Sequence, residues 1–288
     1  MVQYGQIAQA AAVHLTSSCP NWLTVKIKGC DVLFDMYAAS FYKNWIIAKR
    51  NFFTVFEVIF WPFISLMSIG LMTGFLSMEQ DKVSFILIGA VAFSIVQVCQ
   101  IDIAYVMLFD MWSKSVKHTF IAPVRGRHLV VGSLLFGILR STLVFGILVV
   151  ISFYAFGFNF LAAGVIPVIV FLGGLFLTSA SIGILVCISI LTFGQRAEVA
   201  AWTITGIMMF VCGIYYPVSV LPEALQMVAR AIPLTYFLEY MRSFYGSGEA
   251  DLLLGFGLAV FYFVAGILAL DRAIIGARRS GILLRLSE

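Results

Sequence analysis

The sequence predicts an all-α polytopic membrane protein, with six transmembrane helices, an N-terminal interfacial amphipathic helix and a re-entrant helical hairpin before the last span. Three observations carry that expectation. Of the 288 residues, 62% are hydrophobic and 11% charged, with a mean hydropathy of +1.04, whereas soluble domains hold roughly 45–50% apolar and about 25% charged residues. Apolar runs recur that reach the roughly twenty residues needed to cross a hydrocarbon core. Lys and Arg crowd into alternate connectors, as they do in chains sorted across a membrane.

Residues 1–30 form a weakly patterned extension with no Lys or Arg before Lys26, so the charged start of a signal peptide is missing and nothing reads as cleaved. Residues 31–51 are loosely amphipathic. Phe34, Tyr37, Phe41, Trp45 and Ala48 follow one side, with Ser40, Lys43, Asn44 and Arg50 largely off it, the pattern of a helix lying in a membrane interface. The long apolar region, 52–276, then holds the spans, and 277–288 is a tail.

The first span covers about Thr54 to Leu76, with Pro62 expected to bend it. Its Gly70 and Gly74 stand four apart, a spacing that admits a close helix partner and also arises by accident in Gly-rich membrane chains. The second covers Val83 to Phe109 and the third Leu129 to Phe156. The fourth, Leu161 to Phe193, exceeds the length needed, and Gly173-Gly174 predicts a tilted or broken helix. The fifth covers Val199 to Tyr216 and the sixth Leu252 to Ile275.

Between the last two spans lie two pieces too short to cross. In the first, Leu221, Leu225, Val228 and Ile232 share a face, with Pro222 in the first turn. In the second, Phe237, Tyr240, Met241 and Phe244 recur at helical spacing, with Thr235 as the expected N-cap. This reads as a re-entrant hairpin, the alternative being an outer loop lying on the membrane surface; its non-helical backbone needs cover from protein or water.

Placing both termini in the cytoplasm puts most cations inside, among them Lys43, Lys49, Arg50, Lys114, Lys117, Arg125, Arg127 and Arg196. Lys82, Arg230 and Arg242 are left outside. That asymmetry predicts a multi-pass protein of the cytoplasmic membrane with the hairpin facing out. The net charge of +4 belongs to these connectors, and no basic cluster is dense enough for nucleic acid.

Catalysis finds little footing. The five cysteines, Cys19, Cys30, Cys99, Cys187 and Cys212, lack paired spacing. His14, His118 and His128 are scattered, so no metal site and no cofactor is predicted. Few ionisable groups lie at membrane depth: Glu57, Asp102, Asp110 and Arg140. At about 1.5 Å per residue, Asp102 and Arg140 sit at similar depth in neighbouring spans and are expected to pair. A proton relay needs a longer chain of acids or histidines than this. No Gly-Lys dipeptide occurs, hence no phosphate-cradling loop for ATP.

The connector 111–128 is longer than a hairpin requires. Its basic and aromatic residues, Trp112, Lys114, Lys117, His118, Phe120 and Arg125, suit either a positive-inside anchor or a docking element for a cytoplasmic protein. In the first span Phe52, Phe56, Phe60 and Phe63 make an aromatic row. Together with Trp202, Tyr215 and Tyr216 near the fifth, it either lines a route for sugar rings or lipid tails or packs against lipid.

Two stretches, Thr119-Phe120-Ile121-Ala122-Pro123-Val124-Arg125-Gly126-Arg127 and Tyr216-Pro217 through Leu221-Pro222 to Ile232-Pro233-Leu234-Thr235-Tyr236, give residues 31–276 a resemblance to the membrane permease subunits of type 2 ABC exporters, which carry polysaccharides, lipo-oligosaccharides or drugs. The resemblance implies a homodimer of permeases with two copies of a cytoplasmic ABC ATPase that holds the ATP and Mg. It also implies a coupling helix at 111–127, a dimer contact through the first and fifth spans that gives Gly70 and Gly74 a use, and transport of a glycan or other amphipathic substrate. A polysaccharide or lipid-linked glycan is the expected cargo, with hydrophobic drugs or lipids as the alternative. A gradient-driven carrier would show inverted repeats and midplane ion ligands, which are absent.

Overall fold

The computed structural model describes residues 29–113, 126–246, 248 and 251–279. Within them the chain is helical throughout: α1 Gly29–Arg50, α2 Phe52–Phe75, α3 Gln80–Trp112, α4 Gly126–Phe156, α5 Val165–Phe193, α6 Glu198–Val211, α7 Glu223–Ala231, α8 Pro233–Ser243 and α9 Leu252–Arg279. Short 3-10 turns join several of these, at Phe160–Ala163, Gly194–Ala197 and Val218–Val220.

Helix α3 is the post around which the others stand. It is apolar on every side, which a helix tolerates only when surrounded, and Leu87, Ile88, Val91, Ile95, Ile103 and Leu108 are wholly buried. Helices α2, α4, α5, α6 and α8 all pack on it. By contrast α2 and α9 bury little, and large side chains such as Phe53, Phe75, Leu253 and Phe261 stand open. So much exposed apolar surface is stable only in an apolar solvent. Buried hydroxyls obey the same demand by bonding back into their own helices: Ser94 to the Ala90 carbonyl, Ser141 to Gly137, Thr178 to Gly174 and Ser179 to Leu175.

Among the described residues, α2, α3, α4, α5 and α9 are long and apolar enough to cross a membrane. The expected fifth span is shorter than the sequence predicts. Helix α6 has 14 residues and ends because the chain turns at Gly213, whose φ of +68° favours glycine. The fourth span differs too: Asn159 caps a 3-10 turn through the Leu161 amide, Gly164 breaks the chain at φ +96°, and α5 then runs unbroken through Gly173-Gly174. Gly174 serves packing instead of bending, since a Cβ there would meet the Phe237 ring at 2.3 Å. Likewise α2 continues through Pro62 as one helix.

Helix α1 packs on α4 by a face turned only slightly from its aromatic side, for Tyr37 and Phe41 still meet His128 and Phe136 of α4 ring to ring. Ser40, Asn44 and Ala48, four apart, are the buried stripe, and Trp45 is exposed. Small residues let the helices close up, and a Cβ on Gly132 would meet Ser40 at 2.4 Å.

The two short helices expected before the last span are present as α7 and α8. Helix α8 is the anchored one, with Leu234, Phe237, Leu238 and Met241 fully buried against α3, α5 and α9; Phe244 and Val228 are exposed. Thr235 does not cap α8. Pro233, which has no N–H to satisfy, opens that helix after Ile232, and the Thr235 hydroxyl instead donates to the Ala229 carbonyl at the end of α7.

Candidate functional site

Helix ends leave carbonyls without partners, and in an apolar surround each needs a donor. The helix-pair end of the molecule supplies them from side chains. Gln226 donates to the Leu221 carbonyl at 2.8 Å, Tyr236 to Arg230 at 2.9 Å and Tyr262 to Ala231 at 3.0 Å. Tyr245 donates to Asn159 and Phe160 at 2.8 and 2.9 Å.

The largest such donor is Arg242, which the sequence places in an outer loop and the structure buries. Its guanidinium donates to the carbonyls of Gly213 (2.8 Å), Ile214 (2.7 Å) and Phe85 (3.2 Å), and lies 3.4 Å over the Phe85 ring. A cation on the buried face of α8, one turn beyond Leu238, is the sequence signal that would have found it. Gly89 keeps the room open, because a Cβ there would meet the Ile214 carbonyl oxygen at 1.8 Å.

Midway along the helices, Arg140 of α4 contacts Asp102 of α3. Its second nitrogen donates to the Thr54 carbonyl of α2 at 3.2 Å, and its head sits 5.4 Å from the Phe136 ring centre. One side chain thus links three helices while neutralising a buried carboxylate, the arrangement that makes charge tolerable at that depth. Beside it Gln100 donates to the Ala201 carbonyl (3.2 Å) and to the Thr205 hydroxyl (2.9 Å) on α6.

At the connector end, α1 bonds to both flanks of the segment between α3 and α4. Lys43 pairs with the buried Asp110, Ser40 donates to the Leu129 carbonyl at 3.2 Å, and Asn44 donates to the Ser133 hydroxyl at 2.9 Å. Tyr37 meets His128 edge to face at 4.9 Å. Trp112 closes α3, partly exposed, in an edge-to-face cluster with Tyr105 and Phe109. Lys114, Lys117, His118, Phe120 and Arg125 lie outside the described residues.

The aromatic row stands on the open side of α2. Phe56 and Phe60 stack at 5.1 Å, and both are exposed, as are Phe63 and Trp202 of α6. Phe52 opens α2; its side chain is outside the description. Tyr215 and Tyr216 are half-buried in the turn after α6, where the Tyr216 hydroxyl donates to the Phe210 carbonyl. The two glycines of α2 do not act together. A Cβ at Gly70 would strike Phe156 of the same chain at 2.1 Å, whereas Gly74 faces open space, so the Gly70 notch is filled from within the subunit.

Comparison with known proteins gives two findings. Over 52 residues the chain is 40% identical to an uncharacterized protein of Archaeoglobus fulgidus, a stretch that covers 18% of this chain and 80% of that protein. Residues 37–245 match the family of ABC-2 type transporters. That match begins within α1 and ends just past α8, taking in the central post, the ion pair and the helix pair alike. The chain therefore belongs to the ABC-2 type transporter family, as a membrane permease subunit and not as the ATPase.

Proposed function

We propose that this chain is one half of an ATP-driven exporter that moves a polysaccharide or lipid-linked glycan out across the cytoplasmic membrane. A separate ABC ATPase, in two copies and holding the ATP and Mg, grips the connector 111–127 from the cytoplasm. Two permease chains of the same kind enclose the route, with both termini inside and the α7–α8 pair dipping into the outer leaflet. The observation that carries this reading is the family match over 37–245 in a sequence without a Gly-Lys phosphate cradle. A permease of this family needs its motor from elsewhere.

The exposed aromatic side of α2 and α6 supports the cargo. Stacked rings such as Phe56 and Phe60 offer flat apolar surface to sugar faces. The same surface suits acyl chains, which keeps export of hydrophobic drugs or lipids as the second reading.

Purification from the native host in mild detergent tests the assembly: an ABC ATPase is recovered in equal amount, and a permease recovered alone refutes it. Deletion of the gene then separates the cargoes. Loss of a surface glycan supports the first reading, and raised drug sensitivity with intact glycans supports the second.

A further inference from the structure

Helix α6 buries little of itself. At 1.5 Å per residue its 14 residues extend about 21 Å, and only Ala201, Thr205 and Val211 along it are buried. Val199, Trp202, Ile207, Met209 and Phe210 stand exposed. Ile204 and Met208 add partly buried apolar contact, but apolar contact is non-directional and does not fix register.

What fixes it is polar, at two levels. Toward the start, the Gln100 amide of α3 donates to the Ala201 carbonyl and the Thr205 hydroxyl; the Thr205 hydroxyl in turn donates to Ala201 at 2.8 Å. Past its end, Arg242 bridges the Phe85 carbonyl of α3 to those of Gly213 and Ile214. Both groups are costly to the core. The Gln100 Oε1 and the Arg242 Nε are buried without a partner among the described residues, and an apolar residue of similar size would avoid that penalty. Their presence points to placement of α6 more than to stability of the whole.

We propose that Gln100 and Arg242 are positioning residues that pin α6 to α3 at two levels, so that the wall carrying Trp202 moves with the central post as one body. This rests on the permease reading above. It adds that the seam between α3 and α6 does not slide during transport.

The chain carries its own reporters. Cys212 at the end of α6, Cys99 on α3 and Cys187 on α5 are free and fully buried. Labelling of the purified chain in nanodiscs by N-ethylmaleimide, read peptide by peptide by mass spectrometry, compares the native chain with Gln100→Met, Arg242→Lys and the isosteric Thr205→Val. Cys212 is expected to react about tenfold faster in the variants, with Cys99 and Cys187 still protected. Native protection of Cys212, or all three thiols opening together, overturns the pinning; Thr205→Val decides if the larger changes fail to fold. In the complex with its ATPase, the same variants keep ATP hydrolysis within about twofold of native while failing to complement a deletion strain, and a parallel loss of both contradicts the positioning role. If no ATPase accompanies the chain, the permease reading fails while the thiol result still judges the pins.

Discussion

Arg140 and Asp102 meet in the middle of the helix bundle, and the arginine keeps a second nitrogen free for the Thr54 carbonyl of α2. The pair therefore does two separable things: it cancels a buried charge and it fastens α2. Reversal of one charge, as Asp102→Arg or Arg140→Asp, leaves two like charges together and is expected to cost about 3 kcal/mol or more. Membrane insertion yield should collapse. The double exchange should restore yield without restoring the bond to Thr54, and α2 should then be cleaved faster in limited proteolysis. An exchange no better than the single changes would disprove the pairing.

Gly173 and Gly174 provide an internal control. A Cβ at 174 runs into the buried Phe237 ring, whereas at 173 nothing lies within 4 Å. Gly174→Ala is expected to lower stability by about 1–3 kcal/mol through overpacking, and Gly173→Ala to be neutral or slightly stabilising through better helix propensity. Thermal melts in detergent distinguish the two, and equal melts would mean that α8 does not seat on α5 as described.

Lys117→Glu with Arg125→Glu reverses two cations of the connector. Recovery of the ATPase with the permease should fall several-fold, while the amount of permease in the membrane stays at the native level. Undiminished recovery would take the docking role away from this segment.

Phe56, Phe60 and Trp202 stand on the exposed side of α2 and α6, so Phe56→Ala, Phe60→Ala and Trp202→Ala should each lower stability by no more than about 1 kcal/mol. Export, scored by complementation of a deletion strain, should nonetheless drop. Full complementation by all three would return these rings to the role of lipid-facing packing.

The parts legible in the sequence were those a hydrocarbon solvent dictates. Runs of about twenty apolar residues announce crossings, and counting rise per residue put Asp102 and Arg140 at one depth, where they are in contact. The helix pair before α9 could be read because its pieces are too short to cross and carry an apolar face. Three features were hidden for identifiable reasons. Ser40 and Asn44 look like a solvated edge, yet small polar residues are what let α1 lie close on α4. Arg242 looks like a loop cation because hydropathy cannot see three carbonyls converging from α3 and the turn after α6. The end of α6 came early because Gly213 adopts a positive φ that an apolar run masks.

The lashing of α1 to both roots of the connector carries a mechanical consequence. Asp110 before the segment and Leu129 and Ser133 after it are all tied to residues within one turn of α1. With the connector docked as proposed, a load on residues 114–125 meets roots already lashed together through α1. These ties resist spreading of the roots like the blades of scissors and favour a push on the whole corner, α1 included.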